Sequence, residues 1–132
     1  MFKRILLLLC LAMPLQAETR LTVRFANPAW NGVSIPVGQQ CPRHGGAGAT
    51  PALNVFDLPT GTAALLLEFS EKGSKLDHGG MGRIGYIVPK GVASAQVPSI
   101  HGNSMNLPAG FFLVSPHQGD DAPGAYLPPC SG

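Results

Sequence analysis

The sequence has little charge and few aromatic residues, and these shortages exclude several classes of protein. Its 132 residues include nine Lys and Arg, seven Asp and Glu, six Phe, two Tyr and one Trp. It contains no basic run with interleaved aromatic residues, which argues against a nucleic-acid partner. It also lacks the G-x-S-x-G, H-E-x-x-H and C-x-x-C motifs of common hydrolases, zinc proteases and redox proteins. We therefore predict that the protein is not an enzyme.

Long helices are also excluded after the first residues. Seventeen glycines and thirteen prolines interrupt every helical candidate, because both residue types are unfavourable inside a helix. Short β-rich runs between turn signals remain, and this pattern is typical of an all-β domain. We predict a sandwich-like fold of antiparallel or mixed sheets built from short strands, with few helices.

Individual strands can be assigned from the apolar pattern. Leu21, Val23 and Phe25 alternate with polar residues, which predicts a half-buried strand. The apolar runs over 63–67 and 83–88 predict strands that are buried on both faces. The remaining predicted strands are an edge strand after the Asn31-Gly32 turn, within 33–37, and short strands within 94–100 and 110–116. Residues 41–62 and 117–132 are predicted to be irregular.

The N-terminal residues have the pattern of a secretory signal peptide. Lys3 and Arg4 precede an apolar run over 5–13, and the small residue Ala17 follows it. The run is shorter than the ~20 residues of a membrane span. Lipidation at Cys10 is disfavoured because Leu9, rather than a small residue, precedes it; an uncleaved anchor is the alternative. We predict a signal peptide over 1–17 and one periplasmic or secreted domain over 18–132, without a transmembrane span.

Removal of the signal peptide changes both the charge and the cysteine count. The mature chain keeps 9 − 2 = 7 basic residues against seven acidic residues, which gives a formal net charge of zero. Two cysteines remain, Cys41 and Cys130. In an oxidising compartment, two cysteines are expected to form one disulfide, and two free thiols are the alternative.

The polar loop between the two strongest strand signals is a candidate binding site. It contains Glu71, His78 and Arg83, and loops held by a rigid sheet often carry binding groups. The alternative is an ordinary solvated loop. The four histidines, His44, His78, His101 and His117, do not have the spacing of zinc ligands. We therefore predict no metal site and no cofactor, and we expect these histidines to be surface residues.

Four segments occur in an order that resembles the phosphatidylethanolamine-binding protein family, also called Raf kinase inhibitor-like. They are NGVSIPVGQQC, PALNVFDLPTGTAALLLEF, GRIGYIVPKG and GAYLPPCSG. The matched positions include Gly32, Ile35, Pro36, Cys41, Pro51, Leu53, Pro59, Gly61, Thr62, Ile87, Val88, Pro89 and the final turn around Tyr126. The resemblance implies a β-sandwich with a small anion pocket.

The chain departs from this family at the pocket. The family's acidic motif is replaced by FSEKGS, which leaves Glu71 as an acid, and its His-Trp pair falls on Gly82-Arg83. His78 lies four residues before Gly82 and is the nearest substitute for that histidine. The third element of the pocket would lie beyond Gly132, so the resemblance implies a domain that is incomplete at its C-terminus. From this resemblance together with the charged loop, we predict that Glu71, His78, Arg83 and Tyr126 form the ligand site.

Three functions are consistent with these features. The first is an exported binding protein for a small anionic ligand, a phosphate or a phospholipid headgroup. The second is a secreted protein-interaction or inhibitor module in which the pocket has been lost. The third is a truncated remnant without function.

Overall fold

The computed structural model describes residues 20–130, and nearly all of its regular structure is β. Six strands and one short 3-10 helix, Pro42–His44, make up the fold. This confirms the predicted all-β class. The predicted signal peptide over 1–17 lies outside the described residues. Within residues 20–130, no helix has the length and hydrophobicity needed to cross a bilayer.

The first sheet contains three antiparallel strands in the order β1-β2-β5. They are β1, Thr22–Phe25, β2, Leu53–Phe56, and β5, Ala95–Val97. Val55 in β2 stands opposite Val23 on one side and Ala95 on the other. The middle strand of this sheet is therefore β2.

The second sheet also contains three antiparallel strands, in the order β3-β4-β6. They are β3, Ala64–Phe69, β4, Gly82–Ile87, and β6, Phe111–Ser115. The β4–β6 register shifts between Arg83 and Ile84. Gly82 starts β4 with a φ of +124°, and a Cβ at this position would collide with the backbone carbonyl of Ala125. Only glycine fits both constraints.

The two sheets pack face to face around a shared apolar core. Val55 and Val97 of the first sheet belong to the same buried cluster as Val88, and Leu65 and Leu67 of β3 pack against it. The hydroxyl of Tyr86 in β4 also donates a hydrogen bond of 3.2 Å to the carbonyl of Gln96 in β5. Alternating strand residues thus meet between two sheets, as in a sandwich.

A second buried cluster forms where the C-terminal segment lies against the second sheet. It contains Ile84, Ile100, Ala125 and Tyr126. The segment has no regular structure, as predicted, but its backbone is bonded to the rest of the fold. The bonds are Asn103 N–H to Tyr126 O at 2.8 Å, Ala125 N–H to Ser104 O at 3.0 Å and Leu127 N–H to Met81 O at 3.0 Å.

Two strand predictions are wrong. Residues 33–37 form no strand: the Asn31 side chain accepts hydrogen bonds from the backbone N–H groups of Val33 and Ser34, which closes a turn. The region predicted to be irregular, 41–62, contains β2. Its strand is fixed by pairing with β1 and β5, which are distant in sequence.

The burial predictions also need correction. The run over 63–67 was expected to be buried on both faces, but β3 lies at a sheet edge, and Leu66 is 60% exposed. The apolar face of β1 was expected to be buried, yet Val23 is 52% exposed and Phe25 is 39% exposed. Leu66 lies on the outer face of β3, opposite to Leu65 and Leu67, which pack on the core, whereas Val23 lines an open groove between β1 and β3.

Candidate functional site

An open cavity of about 470 Å³ lies at one end of the sandwich. The end of β1 and the loop after it form one wall, and the end of β3 with its following loop forms another. The C-terminal segment contributes the remaining side. The lining residues are mostly apolar: Phe25, Trp30, Gly32, Val33, Ser34, Ile35, Pro51, Leu53, Phe69, Ser70, Glu71, Met81, Tyr126 and Pro129.

Four aromatic side chains line this cavity in two pairs. The rings of Phe25 and Trp30 are stacked, with centroids 6.2 Å apart and planes 24° apart. Phe69 and Tyr126 meet edge to face, with centroids 4.9 Å apart. Aromatic faces carry partial negative charge, and they attract cations and apolar groups alike. The cavity therefore presents an electron-rich, largely apolar surface.

Tyr126 is held tightly and keeps its proton. Its side chain is only 3% exposed, and its backbone carbonyl accepts the hydrogen bond from Asn103 N–H. Burial raises the pKa of the Tyr126 phenol well above its ordinary value, because the phenolate would be poorly solvated. The hydroxyl is therefore a neutral hydrogen-bonding group throughout the physiological pH range.

Glu71 supplies the charge of the cavity. Of the described residues that line the cavity, only Glu71 belongs to a type that is charged at neutral pH. Its backbone is fixed by hydrogen bonds, from Glu71 N–H to Leu76 O at 3.1 Å and from Ser74 Oγ to Glu71 O at 3.0 Å. Within residues 20–130, no ion pair or hydrogen bond engages its carboxylate. Glu71 is exposed and thus adds a carboxylate without a partner in the described part of the chain to the residues that line the cavity.

Arg83 and His78 do not line the cavity. The Nε of Arg83 donates to Glu68 Oε2 at 2.8 Å, and its Nη2 donates to the His78 carbonyl. Arg83 and Glu68 are direct partners across β3 and β4, so the sheet register brings them together. The guanidinium is therefore already engaged. The His78 side chain is exposed on the loop.

The loop that carries His78 is ordered by Asp77. One carboxylate oxygen of Asp77 accepts from Gly73 N–H at 2.9 Å, and the other accepts from His78 N–H at 2.8 Å. These backbone hydrogen bonds lower the pKa of the Asp77 carboxyl. They fix the path of the chain between Glu71 and β4.

The structure thus brings together two of the four predicted ligand residues, Glu71 and Tyr126, and leaves His78 and Arg83 outside the cavity. The aromatic residues Phe25, Trp30 and Phe69 were not predicted as site residues. One signal was present in the sequence, since Phe25 continues the alternating apolar face of β1. Its meeting with Trp30 and Tyr126 depends on tertiary structure.

His117 differs from the other histidines. It is 8% exposed, whereas we expected all four histidines to be surface residues. Its Nε2 lies 2.8 Å from the carbonyl of Ala122, and its Nδ1 accepts from Gly119 N–H at 3.2 Å. This arrangement assigns the proton to Nε2 and gives His117 a role in holding the loop after β6. His44, His78 and His101 are exposed, as predicted.

Cys41 and Cys130 form the predicted disulfide, with their Cα atoms 5.1 Å apart. The bond joins the start of the 3-10 helix to the end of the C-terminal segment, next to Pro129, which lines the cavity.

Comparisons with protein-family models, with curated proteins and with solved structures gave no match. The resemblance to the phosphatidylethanolamine-binding protein family therefore stays a prediction.

Proposed function

We propose that the protein is an exported binding protein for a small molecule that carries a positively charged amine on an apolar body. Export follows from the predicted signal peptide. The observation that carries the ligand class is the juxtaposition of Glu71 with four aromatic rings in one open cavity. Cations are attracted both by aromatic faces and by a carboxylate, and apolar groups gain from leaving water.

The same cavity is less suited to the anionic ligand that the sequence predicted. Glu71 would repel a phosphate, and Arg83 is engaged by Glu68 and the His78 carbonyl. Binding of an anion at the exposed loop next to Arg83 stays a prediction. The two ligand classes give opposite responses to one substitution: Glu71→Gln weakens the binding of a cation and strengthens the binding of an anion.

Trp30 allows this proposal to be tested directly, because it is the only tryptophan of the chain and it lines the cavity. Choline, its neutral isostere 3,3-dimethylbutan-1-ol, phosphate and phosphoethanolamine are titrated while Trp30 fluorescence and the NMR shift of its indole N–H are recorded. We expect choline to bind at least about tenfold more tightly than the neutral isostere, which corresponds to ~1.4 kcal/mol.

Variants complete this test. Glu71→Gln is expected to weaken choline binding, whereas Glu68→Gln, the matched control outside the cavity, leaves it unchanged. Phosphate binding that strengthens in Glu71→Gln would overturn the amine proposal and favour the anionic ligand. If none of the compounds changes the Trp30 signals, this result would favour the interaction-module or remnant hypotheses.

One observation favours the interaction module as a second candidate. Leu21, just before β1, and Val23 and Phe25 within it are all more than a third exposed, and β1 is an edge strand of its sheet. An edge strand with an apolar face can accept an added strand from another polypeptide. Replacing Val23 by Lys is expected to abolish such pairing. Analytical ultracentrifugation of the unaltered protein and of this variant, each with a captured partner, measures complex formation.

A further inference from the structure

Asp121 lies beside the disulfide with one carboxylate oxygen unused. The Sγ atoms of Cys41 and Cys130 and a carboxylate oxygen of Asp121 all lie within 4.8 Å of one another. Asp121 Oδ1 is 3.7 Å from Arg43 Nη2, and Oδ2 is buried without a hydrogen-bond partner among residues 20–130. Buried polar atoms without a partner are rare in folded proteins, and they call for a physical explanation.

The fold keeps the two cysteines adjacent by contacts other than the disulfide. Cys41 is fully buried, and its N–H donates to the carbonyl of Pro129 at 2.8 Å. Leu127 N–H donates to Met81 O at 3.0 Å, and Pro128 is among the most buried side chains of the protein. Because these contacts do not depend on the S–S bond, we expect both sulfur atoms to stay near Asp121 when that bond opens.

We propose that the reduced protein binds one Zn²⁺ ion between Cys41, Cys130 and Asp121, and that the disulfide closes this site. Thiolate and carboxylate are both ligands of zinc, and thiolates favour zinc over hard cations. A tetrahedral ion with Zn–S bonds of about 2.3 Å and a Zn–O bond of about 2.1 Å requires ligand atoms roughly 3.6 to 3.8 Å apart. Side-chain shifts of about 1 Å satisfy this from the observed cluster, and water fills the fourth position.

The metal site opens by a two-electron reduction of the disulfide. A dithiol reductant transfers two electrons and two protons to the disulfide and becomes a disulfide itself, which leaves two cysteine thiols. Zn²⁺ then displaces both thiol protons to solvent as it binds the two sulfur atoms. Two thiolates and one carboxylate carry three negative charges, and Zn²⁺ with the neighbouring Arg43 supplies three positive charges. The site is therefore neutral when filled.

The test uses the Cys10→Ser chain, so that only Cys41 and Cys130 supply thiols. The protein is reduced under argon, freed of reductant and titrated with Co²⁺ as a spectroscopic substitute for Zn²⁺, followed by Zn²⁺ competition. We expect one ion per reduced chain with thiolate-to-cobalt charge-transfer absorption, and no uptake by the oxidised chain. Circular dichroism before and after reduction records whether the β structure is kept.

Variants of two neighbouring aspartates distinguish a three-ligand metal site from metal binding by the two thiols alone. Asp121→Asn is expected to weaken metal binding at least about tenfold, while Asp120→Asn leaves it unchanged, because Asp120 pairs at the exposed surface with Lys75. Equal affinities in the two variants would overturn the proposal. So would a reduced chain, folded or unfolded, that gives no cobalt spectrum, or an oxidised chain that binds the ion.

Discussion

Glu68 and Arg83 face each other across β3 and β4, with Arg83 Nε 2.8 Å from Glu68 Oε2. The two side chains are 45% and 32% exposed, so water screens much of their attraction. We expect Glu68→Gln to lower the free energy of unfolding by less than ~1 kcal/mol. Urea denaturation measures this, with Glu71→Gln as the control outside the pair. A loss above ~2 kcal/mol would contradict the screened ion pair.

The disulfide is expected to contribute much more. It closes a loop with a sequence separation of 89 residues. Restriction of so long a loop in the unfolded chain stabilises the fold by ~4 kcal/mol. We expect Cys130→Ser to lower the free energy of unfolding by about that amount, measured by urea denaturation. Reduction of the unaltered protein in metal-free buffer should produce the same loss, and an unchanged midpoint after reduction would contradict the prediction.

Tyr126 is expected to make the fold sensitive to alkali. Its phenol pKa is raised by burial above the unfolded value of ~10, so the folded state holds the proton more tightly. This stabilisation is complete below pH ~10 and is lost as the pH rises above it, at up to ~1.4 kcal/mol per pH unit.

Thermal unfolding between pH 8 and pH 11 tests this prediction. Tyr126→Phe keeps the aromatic contact with Phe69 but has no proton to lose, so its stability should fall less steeply with pH than that of the unaltered protein. Parallel pH curves for the two proteins would show that the phenol is not the group responsible.

Gly82 is expected to tolerate no side chain. Its φ is +124°, and a Cβ would collide with the Ala125 carbonyl. We expect Gly82→Ala to lower the free energy of unfolding by at least ~3 kcal/mol. Gly91→Ala is the matched control, because Gly91 also has a positive φ of +80° but open space around it, and its strain should cost about 1 kcal/mol. Equal losses, measured by chemical denaturation, would contradict the predicted collision.

The sequence pattern predicts those strands whose signals are local. The strands β4, β5 and β6 are apolar runs that end near Pro or Gly, so composition alone locates them. The apolar residues of β2 are too few for a clear pattern, and its pairing partners lie 28 to 44 residues away in the sequence. Residues 33–37 have a strand-like composition, but the Asn31 side chain bonds locally and turns the chain instead.

The candidate site was only partly predictable from the sequence, because its residues meet through tertiary contacts. Glu71 was identified from a loop and Tyr126 from a resemblance, and only the tertiary fold brings them into one cavity with Trp30. Arg83 was expected to contribute to the ligand site, and its pairing with Glu68 was not foreseen because it depends on the register of β3 and β4. The disulfide was predictable by elimination, because only two cysteines remain if the predicted signal peptide is removed.

The second core cluster has a consequence for biosynthesis. Ile84 and Ile100 are buried under Ala125 and Tyr126, so a chain that is made from its N-terminus cannot close this cluster until Tyr126 has been added. The central strand β4 then spends much of translation with its apolar side chains uncovered. The Cys41–Cys130 disulfide forms later still, when an external oxidant takes up two electrons and both thiols lose their protons, and its appearance in a pulse-labelled chain is expected late in folding rather than early.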